Sequence, residues 1–253
     1  MASGQQIDLA KQRSVGGILG ATARLYRGYP LLFLILALAV MAPFELGVLA
    51  VTGYGPLRRH ESTGTSLLLL LLRTSLITPL IAALHMQAVI AIGDGRRPLL
   101  RAIAMGGLSV LPVVAAAEIA ANIAIAVGFI ALVIPGVLLS LRWAVVAQAA
   151  AVEGEGWLDA LRSSQRLTST HYGHVFGLSF LAGALATAAS LGARTIPLGS
   201  TAGVASVAAG IAVETAIASF AALTLALLYF DLRARPQTAQ RSKREYPHLR
   251  DLD

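Results

Sequence analysis

Leu67-Leu68-Leu69-Leu70-Leu71-Leu72 is the stretch that decides the fold. Six leucines in a row have no polar face, so no element built from them can lie half in water. A membrane β-strand would alternate apolar and polar residues, and this run does not. Reading outward, the apolar character extends from about Ser66 to Ile92, long enough to cross a bilayer as one helix, which takes about 20 residues. Arg73, Pro79, His85 and Gln87 are its only interruptions by ionisable, amide or imino residues.

The rest of the chain repeats the pattern. Of 253 residues, 56% are hydrophobic and 13% charged, and the mean hydropathy is +0.72. Soluble domains carry about 25% charged residues, and disordered chains carry more charge with less apolar content, so both classes are excluded. The expected fold is all-α: a polytopic membrane protein of six transmembrane helices in three hairpins. The spans run from about Pro30 to Val51, Ser66 to Ile92, Ser109 to Val133, Pro135-Gly136 to Val152, Tyr172 to Ala193 and Thr201 to Phe230. Pro135-Gly136 is expected to form the turn between the third and fourth.

A short amphipathic surface helix is expected ahead of each hairpin: Ser14 to Arg27, Pro98 to Gly107, and Trp157 to Thr168. The domain organisation is then a polar tail at 1–13, a six-helix membrane domain at 14–235, and a charged tail at 236–253. The first 28 residues are mixed and polar, so no cleavable signal peptide is expected and the first apolar run is retained.

The formal net charge is +7. On a membrane protein such an excess is topological and also attracts anionic lipid headgroups; no nucleic acid is expected as a partner. Placing both termini in the cytoplasm puts most of the 20 lysines and arginines inside and leaves Arg58, Arg59 and Arg194 outside. Arg24, Arg27, Arg96, Arg97, Arg101, Arg162 and Arg166 become candidates for contacting anionic headgroups. The expected location is the bacterial cytoplasmic membrane, with a protein partner or a second copy of the chain as further partners.

Ionisable groups inside a bilayer are costly and face a partner or a water-filled cavity. Glu45, Arg73, Glu118, Asn122, Arg142 and Glu214 are therefore the intramembrane polar candidates. Glu118 and Asn122, four residues apart, share a helix face. Ala202, Ser206, Gly210, Glu214 and Ala218 form a stripe of the same spacing, suited to close helix approach. These groups fit a polar path for a proton or ion. They equally fit interhelical pairs, such as Arg73 or Arg142 with Glu118 or Glu214, or side chains reaching for an interface. His171 and His174, with Glu153 and Glu155 nearby in the chain, have spacing that can hold a metal on a helix. They also suit an interfacial position with no special role, and neither metal nor cofactor is expected.

The chain has no cysteine, which removes disulfides and thiolate metal sites. It contains no Gly-x-Ser-x-Gly elbow, phosphate-binding Gly-Lys-Ser/Thr loop, His-Glu-x-x-His pair or dinucleotide fingerprint.

Ile134-Pro135-Gly136-Val137-Leu138-Leu139-Ser140-Leu141-Arg142-Trp143, then Val152-Glu153-Gly154 and Asp159-Ala160-Leu161-Arg162-Ser163-Ser164-Gln165-Arg166-Leu167-Thr168, form a distinctive series. With Ser14 to Leu19, Leu25-Tyr26-Arg27 and Leu228 to Arg235, it resembles the membrane domain found fused to some glycerophosphoryl diester phosphodiesterases and also standing alone. The resemblance covers about residues 14–235. It implies a membrane module and no hydrolysis, because the His-Arg start and Glu-Asn pair of the phosphodiesterase barrel are absent. The expected function is thus a non-catalytic integral membrane module that binds lipid or a partner or aids export of an envelope component. The alternatives are a small transporter or channel with an intramembrane polar path, and a membrane-embedded lipid-modifying enzyme.

Overall fold

The computed structural model describes residues 8–56, 63–154, 156–194 and 203–245. The sequence features at Arg58, Arg59, His60, Glu61, Glu155, Pro197, Ala202 and Pro247 lie outside them, as do 1–7 and 246–253.

The described residues contain helices and no strand. Ten α-helices follow one another: α1 (Val15–Gly28), α2 (Pro30–Thr52), α3 (Thr63–Leu72), α4 (Thr78–Gly93), α5 (Leu100–Ala131), α6 (Val133–Arg142), α7 (Val146–Glu153), α8 (Trp157–Thr168), α9 (Tyr172–Arg194) and α10 (Val204–Glu245). A π turn at Arg73–Ile77 joins α3 to α4. Six segments are long and apolar enough to cross a membrane: Pro30–Thr52, Gly64–Gly93, Leu100–Ala131, Val133–Glu153, Tyr172–Gly192 and Val204–Arg235. The chain is a multi-pass membrane protein.

Large apolar side chains point outward along these spans; Ile130 is 85% and Val204 87% exposed. Such a surface in water would be a wide apolar patch, whereas in hydrocarbon it needs no cover. The core is correspondingly thin. α10 forms its axis, burying Leu223, Ala226, Leu227, Leu228, Tyr229 and Leu232. It packs against α2, α4 and α9, while α5 packs against α4, α6 and α7. The three chain hairpins are present, but α10 lies against both arms of the first one and ties the bundle together.

Helix ends follow from local chemistry. The Ser14 hydroxyl caps α1 by accepting from Gly17 N at 3.1 Å, and Pro30 occupies the first position of α2, where its missing N–H is not needed. Gly53 (φ 74) and Gly154 (φ 62) stop α2 and α7 in the left-handed region, which a Cβ disfavours.

Several boundaries differ from expectation. The expected surface helix at Pro98 to Gly107 is not separate, because from Leu100 on its residues form the first turns of α5. At Gly106-Gly107 a Cβ on Gly107 would fall 2.7 Å from Leu84 Cδ2 and one on Gly106 3.1 Å from Gln87 Oε1, so the pair lets α4 approach. Nor does Pro135-Gly136 form the α5–α6 turn. The connection is the single extended residue Leu132 (φ −164, ψ 151), and Pro135 sits in the first turn of α6. Gly136 is a packing site, since a Cβ there would lie 2.4 Å from Phe129 Cγ.

The fourth span is broken at 143–145 into α6 and α7. The break frees the Arg142 carbonyl, which accepts from the Ser164 hydroxyl at 3.1 Å and the Thr168 hydroxyl at 3.0 Å and so moors α8. The second span carries the π turn just before Pro79, a place where one regular backbone donor is missing.

The described residues near the two chain ends join the bundle. Residues 8–13 are docked: the Arg13 amide donates to Asp231 Oδ1, the Gln12 side chain donates to the Arg235 carbonyl, and Leu9 packs on the core. α10 continues past Phe230, and through Pro236, to Glu245. Its last turns are rich in Ala, Gln, Lys and Arg, which propagate an existing helix easily.

Candidate functional site

The intramembrane polar residues do not converge on one point. Arg73, in the π turn, pairs with Glu214 on α10, their side chains 30% and 16% exposed. This is one of the pairings the sequence allowed. A π turn is a rare distortion that often marks a functional site; here it carries the arginine that meets α10. Glu45 is buried on α2. Glu118 and Asn122 lie one turn apart on α5, both half-buried. Neither makes a hydrogen bond or ion pair with any described residue. Arg142 closes α6, and its backbone rather than its guanidinium holds α8.

One polar node was not singled out in the sequence. His85 on α4 is fully buried, with Nδ1 2.9 Å from the Ile81 carbonyl and Nε2 2.9 Å from Ser219 Oγ on α10. Ser219 Oγ also lies 3.1 Å from the Phe33 carbonyl on α2. Because a carbonyl only accepts, Nδ1 carries the proton there. The Phe33 ring stacks on His85 at 5.5 Å and on Tyr26 at 6.1 Å. A histidine inside an apolar run was the available signal, but its partner stands 134 residues away.

The densest functional chemistry is at the end of the bundle where both terminal segments meet. Arg24, Arg27, Arg96, Arg97, Arg101, Arg162 and Arg166 are all exposed; these arginines, which threading six spans assigns to one side of the bundle, are called the basic face below. Arg96 bonds Asp94 at 2.7 Å and Arg162 bonds Asp159 at 3.1 Å. Arg24, Arg27, Arg97, Arg101 and Arg166 make no ion pair with a described residue.

Two carboxylates brace this face, Asp231 buried and Glu153 half-buried. Asp231, fully buried, accepts from the Arg13 amide and from Arg235 Nε at 2.8 Å, and His174 Nε2, which accepts from Arg235 Nη2 at 3.2 Å, lies 3.2 Å from it. Arg235 donates in turn to the Arg13 carbonyl at 2.9 Å. His171 meets the Thr170 hydroxyl at 2.8 Å, and burial together with the nearby positive Arg235 lowers its pKa below the ordinary histidine value. Glu153 Oε1 accepts from the Ser163 hydroxyl at 2.7 Å and the Tyr229 hydroxyl at 3.2 Å.

Three concavities stand out. A polar one of about 420 Å³ lies between residues 8–13 and α1, beside Arg24 and Tyr29. A second polar one of about 380 Å³ lies along α8. An apolar groove of about 260 Å³ runs between α9 and α10, with Tyr26 and Phe220 in its wall. None of these three is lined by Glu118, Asn122 or Glu214. No protein family, curated protein or solved structure matches the chain, so its own geometry carries the functional reading.

Proposed function

We propose that the chain is a non-catalytic membrane module whose basic face binds anionic lipid headgroups in the bacterial cytoplasmic membrane, with both termini in the cytoplasm. The observation that carries this reading is the set of exposed arginines that make no ion pair with a described residue, Arg24, Arg27, Arg97, Arg101 and Arg166. The positive-inside rule orients that face toward the cytoplasm. The resemblance of residues 14–235 to the phosphodiesterase-linked membrane domain fits a module of this kind, since that domain does not perform the hydrolysis.

Each basic residue near an anionic surface contributes about 1 kcal/mol. Replacing Arg24, Arg27, Arg97 and Arg101 together by Gln is expected to lower retention of phosphatidylglycerol on the purified chain by at least about tenfold. Native mass spectrometry after delipidation and re-addition measures it. Unchanged retention would remove the reading.

A transport function is the second reading. Its support is the pair Glu118 and Asn122 on one face of α5, which bonds no described residue. Proton or cation flux into liposomes that is abolished by Glu118→Gln would favour it, and absence of any flux would count against it.

A further inference from the structure

The pocket along α8 differs from the rest of the basic face in its charge balance. It is lined by Glu153, Asp159, Arg162, Gln165 and Arg166. Two carboxylates face two guanidiniums, so an anion meets repulsion as well as attraction there. A group carrying both charges, properly turned, meets only attraction. At about 380 Å³ the pocket is within the usual small-ligand range of about 300–1,000 Å³.

Several hydrogen-bonding atoms of these lining residues are unused. Ser163 and Tyr229 hold Glu153 through Oε1, and no described residue bonds Oε2. Asp159 uses Oδ1 for Arg162 and leaves Oδ2 unbonded among the described residues. The Arg166 guanidinium donates to no described residue. Spare acceptors and spare donors thus line one concavity, the complement of an ammonium joined to a phosphate. The exposed Trp157 and Leu158 begin the same helix. An aromatic and an aliphatic side chain beside arginines are typical of a helix at headgroup level.

We propose that this pocket seats the headgroup of a phosphoethanolamine phospholipid, with phosphate on Arg166 and Arg162 and the ammonium on Glu153 and Asp159. The proposal rests on the reading that this face meets lipid headgroups, and it adds selectivity to it. A primary ammonium is specified because the pocket offers oxygen acceptors, which a quaternary ammonium cannot use. Quaternary groups are recognised by aromatic cages, and no aromatic side chain lines this pocket.

The test uses the full chain in nanodiscs of phosphatidylcholine containing phosphatidylethanolamine or phosphatidylglycerol as guest, with retained lipid counted by native mass spectrometry. Phosphatidylethanolamine is expected to be retained about tenfold over phosphatidylcholine, the worth of one charge-assisted bond. Asp159→Asn and Glu153→Gln should each cut that preference severalfold, the glutamine still accepting from Ser163 and Tyr229. Arg166→Gln should weaken both lipids alike. Equal retention of the two lipids, or a preference that survives both carboxylate variants, overturns the proposal. So does stronger retention of phosphatidylglycerol that Arg166→Gln abolishes, because the pocket is then an anion site. Saturable binding of free phosphoethanolamine without any lipid preference overturns it in favour of a soluble ligand. The Arg24/Arg27/Arg97/Arg101 variant should lose phosphatidylglycerol yet keep the ethanolamine preference, so the two readings fail separately.

Discussion

Glu214→Gln is the most informative single perturbation of this fold. Arg73 lies about 20 residues from the Gly93 end of its span, or about 30 Å along the helix axis. That places the Arg73–Glu214 pair toward the far side of a hydrocarbon slab about 30 Å thick. Removing one partner of a buried ion pair costs about 3–5 kcal/mol, because the other charge remains desolvated. Here the side chains are 30% and 16% exposed, so the cost is reduced to about 2 kcal/mol. By the scaling for chains of 150–250 residues, that lowers the melting temperature by about 4–8 °C. Arg73→Gln should cost a similar amount, and the double variant much less than the sum, because no uncompensated charge is left. The assay is thermal unfolding of all four proteins in one detergent, arranged as a double-mutant cycle. A coupling energy of zero would refute the reasoning, since the two side chains would then be acting through separate contacts.

Two further outcomes follow from the packing. Gly128→Ala would place a Cβ 3.1 Å from the Gly136 Cα and 2.9 Å from Leu139 Cδ1, so overpacking of the α5–α6 hairpin is expected to cost about 1–3 kcal/mol, seen as a lower melting temperature than for Gly183→Ala, where a Cβ meets nothing. Asp231→Asn removes the charge that holds the Arg13 amide and Arg235; residues 8–13 should detach, and limited trypsin digestion should cut at Lys11 and Arg13 several times faster than in the parent chain.

Much of the candidate site was legible because membrane insertion makes polar residues conspicuous. Against runs such as Leu67 to Leu72, an arginine or glutamate stands out at once, and Arg73 and Glu214 were both recognised that way. Which carboxylate Arg73 would choose was not legible, because partners 141 residues apart leave no local trace. The same distance hid the His85–Ser219 node: serine is common in apolar helices and gives no warning that a histidine will point at it. A glycine misled for a related reason. Gly136, with Pro135, read as a turn, while the structure uses it for close approach to Phe129, and only a neighbouring helix distinguishes the two.

The amino-acid order by itself determined that the protein is helical and that six segments suit the bilayer. Those properties depend on the solvent each residue can tolerate, a question answered residue by residue along the chain. Tertiary structure alone decided that Arg73 meets Glu214, that the Arg142 carbonyl moors α8, that residues 8–13 lie against α10, and that Ser163 and Tyr229 both bond one oxygen of Glu153. Each of these needs two distant segments held side by side, and pairing at such separations depends on the packing of the whole bundle rather than on any local pattern.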